Sequence, residues 1–303
     1  MRIVFFGTTD FAVASLKALI DMGHAPVAVV TAPDKPAGRG MHLHLSPVKE
    51  YAIAKNLPVL QPEKLKNLEF LQQLASYKAD LQIVVAFRML PEAVWNMPPL
   101  GSINVHASLL PQYRGAAPIN WAIINGEAET GVTIFKLKHE IDTGNIFSQE
   151  KVLILPEDNA GSLHDKLMNA GAALLVKTIA GIENGTIKEI PQNDFHGEIK
   201  HAPKLTKESL RIDWNMPVAQ VHNLIRGLSP YPAAHSQLAG KLIKIFASHY
   251  ETVAPAHTAG EYETDHNSYL RFATQDGWLY IDELQQEGKK RLDIKTFLRG
   301  FRG

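Results

Sequence analysis

Residues 3 to 7 read IVFFG, the next segment FAVASLKALIDMG carries apolar residues at helical spacing, and a second apolar run, APVAVVT, follows. Strand, tight turn, helix and strand in immediate succession constrain this chain more than any other feature, because they begin a sheet whose strands alternate with helices. The pattern continues. Further strands are predicted at LQIVVAF, SINVH, GVTIFKL and IFSQEKVLI, with helices between several of them. In PINWAII, Pro118 suits a first helical position and Asn125-Gly126 supplies a C-terminal stop. The expected first domain is therefore a largely parallel α/β sheet with connections on both faces, over residues 1–188. A long helix, SLHDKLMNAGAALLVKTIAGIENG, closes it.

Beyond it the character changes. Residues 189–205 lack strong periodicity and read as a linker, and residues 206–303 as a second, smaller domain. That domain opens with a helical stretch, PVAQVHNLIRGL, and continues in short alternating strands. KLIKIFASHY is one, and YLRFAT and WLYIDEL flank Gln275-Asp276-Gly277 as a hairpin. A small β-rich unit is expected.

The 303 residues are 45% apolar, enough for a sizeable core, and 31 Lys+Arg balance 31 Asp+Glu. Net charge leaves no footprint of an anionic partner, so any such partner needs a local patch. The absence of cysteine removes disulfides, thiolate zinc sites and a cysteine nucleophile. The N-terminal MRIVFFGTTDF is far short of a signal-peptide core, and no run of 18 apolar residues occurs, so a cytoplasmic protein that does not enter membranes is expected.

Chemistry concentrates in SINVHASLLP. In a strand, alternate residues share a face, which sets Asn104 beside His106. Two core polar groups satisfied by backbone would explain the pair as well, taken alone. Asp142, in HEIDTGNI, lies between two predicted strands. It is an ordinary turn residue unless those strands neighbour the one carrying His106. If they do, an amide for a developing oxyanion, an imidazole and a carboxylate converge. The trio has no nucleophile, and Ser108 lacks a glycine-framed elbow. A substrate must bring the nucleophile, which points to group transfer between two bound substrates.

Three other features bear on ligands. After Gly7, Thr9 and Ala12 stand where a dinucleotide fingerprint needs glycines, so NAD is not expected. Thirteen histidines include no zinc spacing, so no metal is expected. The segment PDKPAGRGMHLHLSPV is a long insertion made mildly basic by Lys35 and Arg39, and the C-terminal GKKRLDIKTFLRGFRG carries Lys289, Lys290 and Arg291 among six basic residues against one acid. Loop and tail could follow a phosphate backbone, or could be solvated surface.

The segments SINVHASLLPQYRGAAPINWAI and ETGVTIFKLKHEIDTGNI closely resemble the 10-formyltetrahydrofolate-dependent formyltransferases. FFGTTDFAVASLKALI, APDKPAGRG and HAPKLTKESLRIDW narrow the likeness to the branch acting on initiator methionyl-tRNA. The resemblance covers nearly the whole chain. It implies a Rossmann-like first domain that binds no dinucleotide, an OB-like barrel as the second, 10-formyltetrahydrofolate as one-carbon donor, and a monomer. It implies that Asn104, His106 and Asp142 are catalytic, with Asn104 and protonated His106 stabilising the oxyanion and Asp142 supporting His106. Ser108, Leu109, Leu110 and Pro111 correspond to the folate-site segment, with Arg88 and Leu90 assigned beside them. Lys35, Arg39, Lys289, Lys290 and Arg291 fall to tRNA. The chain departs from this pattern at Phe87-Arg88, at Asn145 and at Met41 to His44. Formylation of glycinamide ribonucleotide or an amino-sugar nucleotide is the alternative among enzymes, and a catalytically silent tRNA-binding module the alternative outside them.

Overall fold

A computed structural model of the chain describes residues 1–37, 42–192 and 198–302. It divides into two compact units. The first takes in Met1–Arg114, Thr130–Val152 and Asp165–Lys200, and the second Gly115–Glu129, Leu153–His164 and His201–Gly303.

Among the described residues, ten strands lie within about the first half of the chain: β1 (Ile3–Gly7), β2 (Ala28–Val30), β3 (Lys35–Ala37), β4 (His42–His44), β5 (Val59–Leu60), β6 (Leu81–Val85), β7 (Ser102–His106), β8 (Arg114–Gly115), β9 (Glu129–Lys136) and β10 (Ile146–Leu153). Seven of them form one sheet in the order β10-β9-β7-β6-β1-β2-β5. From β7 to β5 all neighbours are parallel. β9 then joins β7 antiparallel, with Asn104 opposite Phe135 and His106 opposite Thr133. Among the described residues, the short β3 and β4 pair only with each other.

The parallel arrangement follows from the sequence. All five residues of β1 and of β6 are buried, as strands covered on both faces must be. Phe5 and Phe6 project to opposite faces and are both fully buried, each contributing roughly 1.5–3 kcal/mol of transfer free energy. The helix Asp10–Asp21 turns Phe11, Ala12, Ser15, Leu16 and Leu19 inward. Gly7 makes that approach possible, because a Cβ there would lie 2.6 Å from the Cβ of Ala12. The chain then moves one way through β2 and β5 and back through β6 and β7, so the strand order reverses between β1 and β6. Ligands of open α/β sheets bind outside the carboxyl ends of the strands at such a reversal.

In the second unit, β11 (His201–Ala202) precedes β12 (Ala234–Leu238), β13 (Lys241–Glu251), β14 (Tyr262–Thr264), β15 (Leu270–Ala273), β16 (Trp278–Gln286) and β17 (Arg291–Asp293). The last six form an antiparallel sheet curled into a half-barrel, ordered β12-β13-β16-β15-β14 with β17 on β16. Period-2 alternation sends Ile243 and Ile245 inward and leaves Lys244 exposed. They pack with Phe272, Leu279, Ile281 and Leu284 against Val218, Val221, Ile225 and Leu228 of the helix Val218–Leu228. Asp276, in the hairpin between β15 and β16, accepts the Val218 amide at 2.8 Å and so caps that helix. No helix among the described residues is long and apolar enough to cross a membrane.

Candidate active site

His106 ends β7 and is 7% exposed. Its Nε2 lies 3.0 Å from the Tyr113 carbonyl oxygen. A carbonyl only accepts, so Nε2 carries hydrogen and Nδ1 is the ring position left for chemistry. Nδ1 faces the carboxylate of Asp142, with 3.9 Å to Oδ2 and both side chains largely buried. Phe135 meets the imidazole edge-on at 6.3 Å between centroids, which fixes the ring plane. Two residues back on the same face, Asn104 is partly exposed. Its side-chain amide makes no hydrogen bond among the described residues. The strand thus presents one anchored imidazole and one uncommitted amide.

Asp142 reaches His106 from the loop between β9 and β10, with backbone φ of 55°. Aspartate tolerates this left-handed region better than most residues, but not without support. Support comes from a segment that sequence alone reads as linker. Gln192, 6% exposed, donates from Nε2 to the carbonyls of Asp142 at 3.0 Å and Gly144 at 2.7 Å. Ile190 exchanges two backbone hydrogen bonds with Ile146, each 2.8 Å. Glu189 accepts from Lys136 at 2.8 Å and from Asn145 at 2.9 Å. Burial works to raise the Glu189 carboxyl, but these hydrogen bonds outweigh it and hold it below its usual range. Asn145 also accepts from Lys138 at 3.0 Å, so the residue that departs from the expected pattern is the one that joins this loop to Glu189.

The SLLP turn is held from within. Ser108 is fully buried, and its hydroxyl donates to the Gln112 carbonyl at 2.6 Å. The peptide bond between Leu110 and Pro111 is cis. Leu110 packs on Phe135 and Ile146. Thr133 and Gln149 complete the turn. Gln149 donates to the Leu110 carbonyl and to Thr133 Oγ1, both at 2.9 Å.

A cleft of about 650 Å³ opens at the carboxyl ends of β1, β2 and β6, where the strand order reverses. Thr8, Thr9, Asp34, Glu63, Phe87 and Arg88 are among its walls. Arg88 donates to the Pro62 carbonyl and, at 2.8 Å, to the Glu63 carbonyl. Its guanidinium also lies 5.8 Å from the centroid of the Phe87 ring. Leu90 faces away from solvent in the core formed by Phe6, Val84 and Val94. Asp34 is paired with Lys49 and accepts from Gln61 at 2.8 Å. The hydrogen bond from Lys49, then that from Gln61, holds its carboxyl below the usual range. No cluster of three His, Asp or Glu side chains able to hold a metal ion occurs among the described residues.

The model of the formyl transferase family matches residues 1–179, and that of the formyl transferase C-terminal domain residues 204–302. The chain belongs to the formyl transferase family. It is 55% identical over 311 residues to a methionyl-tRNA formyltransferase of Bacteroides thetaiotaomicron, covering 100% of this chain and 96% of that protein. Among solved structures, WlaRD, a sugar 3N-formyl transferase determined in the presence of dTDP and 5-N-formyl-THF, matches with a TM-score of 0.68 at 21% identity, over 96% of this chain and 99% of its own. HypX from Aquifex aeolicus, in complex with tetrahydrofolic acid, matches with a TM-score of 0.66 at 20% identity over 98% of this chain. This chain spans about half of HypX, 47% of its length. These two likenesses concern the fold.

Within this family fold, the residues expected to meet RNA are placed unevenly. Arg39 lies outside the described residues, as does the Lys35 side chain, although the Lys35 backbone is paired with His44. Lys289 and Lys290 are exposed at the turn into β17. Arg291 is engaged within its own unit, its Nε donating to Glu283 at 2.5 Å and its guanidinium stacked 4.1 Å from the Phe246 centroid. Of the residues that sequence reasoning passed over, Thr133 carried a readable signal: a hydroxyl inside a buried apolar strand must find a partner. Gln192 carried none.

Proposed function

We propose that this chain transfers the formyl group of 10-formyltetrahydrofolate to the free α-amino group of methionyl-initiator-tRNA, giving N-formylmethionyl-tRNA for translation initiation. The observation that carries this reading is the 55% identity to a methionyl-tRNA formyltransferase across the whole chain, second unit included. A catalytic domain over residues 1–188, a linker over 189–205 and a tRNA-binding domain over 206–303 divide the work. The protein acts as a monomer in the cytoplasm.

The reaction joins the amine nitrogen to the formyl carbon, breaks the bond from that carbon to the folate nitrogen, and moves one proton from the amine to the departing nitrogen. Asn104 donates its amide hydrogen to the oxyanion that develops on the formyl oxygen, and among the described residues no competing hydrogen bond has to be broken first. His106, anchored through Nε2 at Tyr113, offers Nδ1 to the same oxygen. Asp142 stabilises the imidazolium and takes the amine proton, directly or through water. The 3.9 Å separation is long for a hydrogen bond, as catalytic pairs often are before substrate closes on them. Ser108, Leu109, Leu110 and Pro111, with Arg88 and Leu90, hold the folate. Lys35, Arg39, Lys289, Lys290 and Arg291 serve the tRNA.

The test is transfer of labelled formyl from 10-formyltetrahydrofolate to initiator methionyl-tRNA, with elongator methionyl-tRNA, glycinamide ribonucleotide and an amino-sugar nucleotide alongside. Strong preference for the initiator is expected. Formylation of a small amine alone overturns the substrate assignment.

A further inference from the structure

We infer that Gln192 is a positioning residue for formyl transfer, acting by fixing the backbone from which Asp142 faces His106. The inference rests on the reading above that Asp142 takes part in the reaction.

The argument begins with hydrogen-bond capacity. A glutamine amide has two N–H donors and an oxygen with two lone pairs. In Gln192 all four are used. Nε2 gives one hydrogen to the Asp142 carbonyl and one to the Gly144 carbonyl. Oε1 receives Nε of Arg114 at 3.2 Å and Nη2 of Arg114 at 2.6 Å. Nitrogen faces two carbonyls and oxygen faces a guanidinium, so only one orientation of the amide satisfies the site. Both sets of partners belong to the reaction centre. Asp142 and Gly144 bracket the turn that carries the carboxylate, and Arg114 follows Tyr113, whose carbonyl anchors His106. One buried side chain therefore ties the loop that supplies the carboxylate to the loop that orients the imidazole.

The arrangement matters because Asp142 is held in the left-handed region at φ 55° and stands 3.9 Å from Nδ1. Without the amide, the part-buried Asp142 carbonyl and the buried Gly144 carbonyl lose the hydrogen bonds from Gln192 and the turn can relax toward ordinary φ values, which swings the carboxylate away. A displacement of about 1 Å at a reacting group can cost on the order of 100-fold in rate.

The experiment uses the full-length enzyme and four variants: Gln192→Met, Gln192→Glu, Asp142→Asn and the double variant Asp142→Asn/Gln192→Met. Methionine keeps the length and removes all four hydrogen bonds. Glutamate keeps the acceptor toward Arg114 but turns an oxygen toward the two carbonyls. For single-turnover formylation of initiator methionyl-tRNA, we expect both single Gln192 variants to lower the rate constant about 10- to 100-fold. The apparent tRNA affinity should stay within about threefold, and adding Gln192→Met to Asp142→Asn should cost less than about threefold more. An equal loss in both backgrounds, or loss of affinity at an unchanged rate, makes Gln192 an ordinary packing residue and overturns the inference. If Gln192→Met fails to fold, Gln192→Glu, alone and combined with Asp142→Asn, decides by the same criterion. A crippled Asp142→Asn with a fully active Gln192→Met defeats this inference alone, whereas a fully active Asp142→Asn defeats the proposed function of Asp142 on which it stands.

Discussion

Thr133 Oγ1 donates to the carbonyl of Ser108 at 2.6 Å. The same oxygen accepts the Leu110 amide at 3.0 Å and Gln149 Nε2 at 2.9 Å. One hydroxyl on β9 thereby secures both ends of the turn that follows His106. Replacing it with the isosteric valine leaves a buried carbonyl and a buried amide short of a partner, and takes one of two acceptors from the part-buried Gln149 Nε2. Each such orphan costs about 1–3 kcal/mol. Thr133→Val should lose at least that much stability, read as a lower urea midpoint at unchanged m-value, and formyl transfer should fall with it.

Asn104→Ala should behave in the opposite way. The amide has no hydrogen bond to lose among the described residues, so unfolding free energy should stay within about 0.5 kcal/mol of the parent. Turnover should fall by about 10² to 10³, the usual cost of one oxyanion donor. Paired measurements of melting and single-turnover rate separate the two effects. A large drop in stability would mean that the side chain serves the fold.

Gly144→Ala tests the loop rather than the carboxylate. A Cβ at Gly144 would lie 1.5 Å from the Lys136 carbonyl oxygen, which is backbone of β9 and has nowhere to go. The loop carrying Asp142 must therefore move. Activity should fall about 100-fold or more while Asp142 itself remains in place in the sequence. A crystal structure of the variant with an unmoved Asp142 carboxylate would contradict this.

These cases also mark what was legible in advance. The sharing of one face by Asn104 and His106 follows from strand alternation, and the burial of β1 from its apolar run, because both are local properties of the chain; β6 is equally buried although Gln82 interrupts its run. That Asp142 comes within reach of His106 depended on β9 pairing with β7, which sequence could state only as a condition. The part played by residues 189–192 was not legible at all. Their partners lie about fifty residues back, at Lys136, Asp142, Gly144 and Ile146, and no periodicity encodes a segment laid alongside a finished sheet. Charge alone also leaves out a partner at Arg291. It reads as one of a basic run, yet the β16–β17 hairpin sets Glu283 beside it.

His222 gives a pH prediction in the second unit. Burial first, then the neighbouring charges of Arg226 and His249, depresses its pKa from 6.5 to about 4. Arg226 cannot move aside, since its Nη1 donates to the carbonyls of Leu155, Pro156 and Asp158. The His222 ring is held neutral, 3.0 Å from Ser248 Oγ and 5.2 Å from the Tyr250 ring centroid. Between pH 6.5 and about 4 the unfolded chain binds a proton here and the folded chain does not. Stability from this site is thus fully present above pH 6.5, falls as pH is lowered toward 4, and changes no further below that. The slope cannot exceed about 1.4 kcal/mol per pH unit, and partial exposure makes the whole loss on the order of 1–2 kcal/mol. His222→Gln, which cannot titrate, should remove that component. Urea unfolding of parent and variant at pH 7.5, 6 and 5 checks it: the difference in unfolding free energy should shift in favour of the variant as pH falls, and a difference independent of pH would mean that His222 takes up its proton without resistance from the fold.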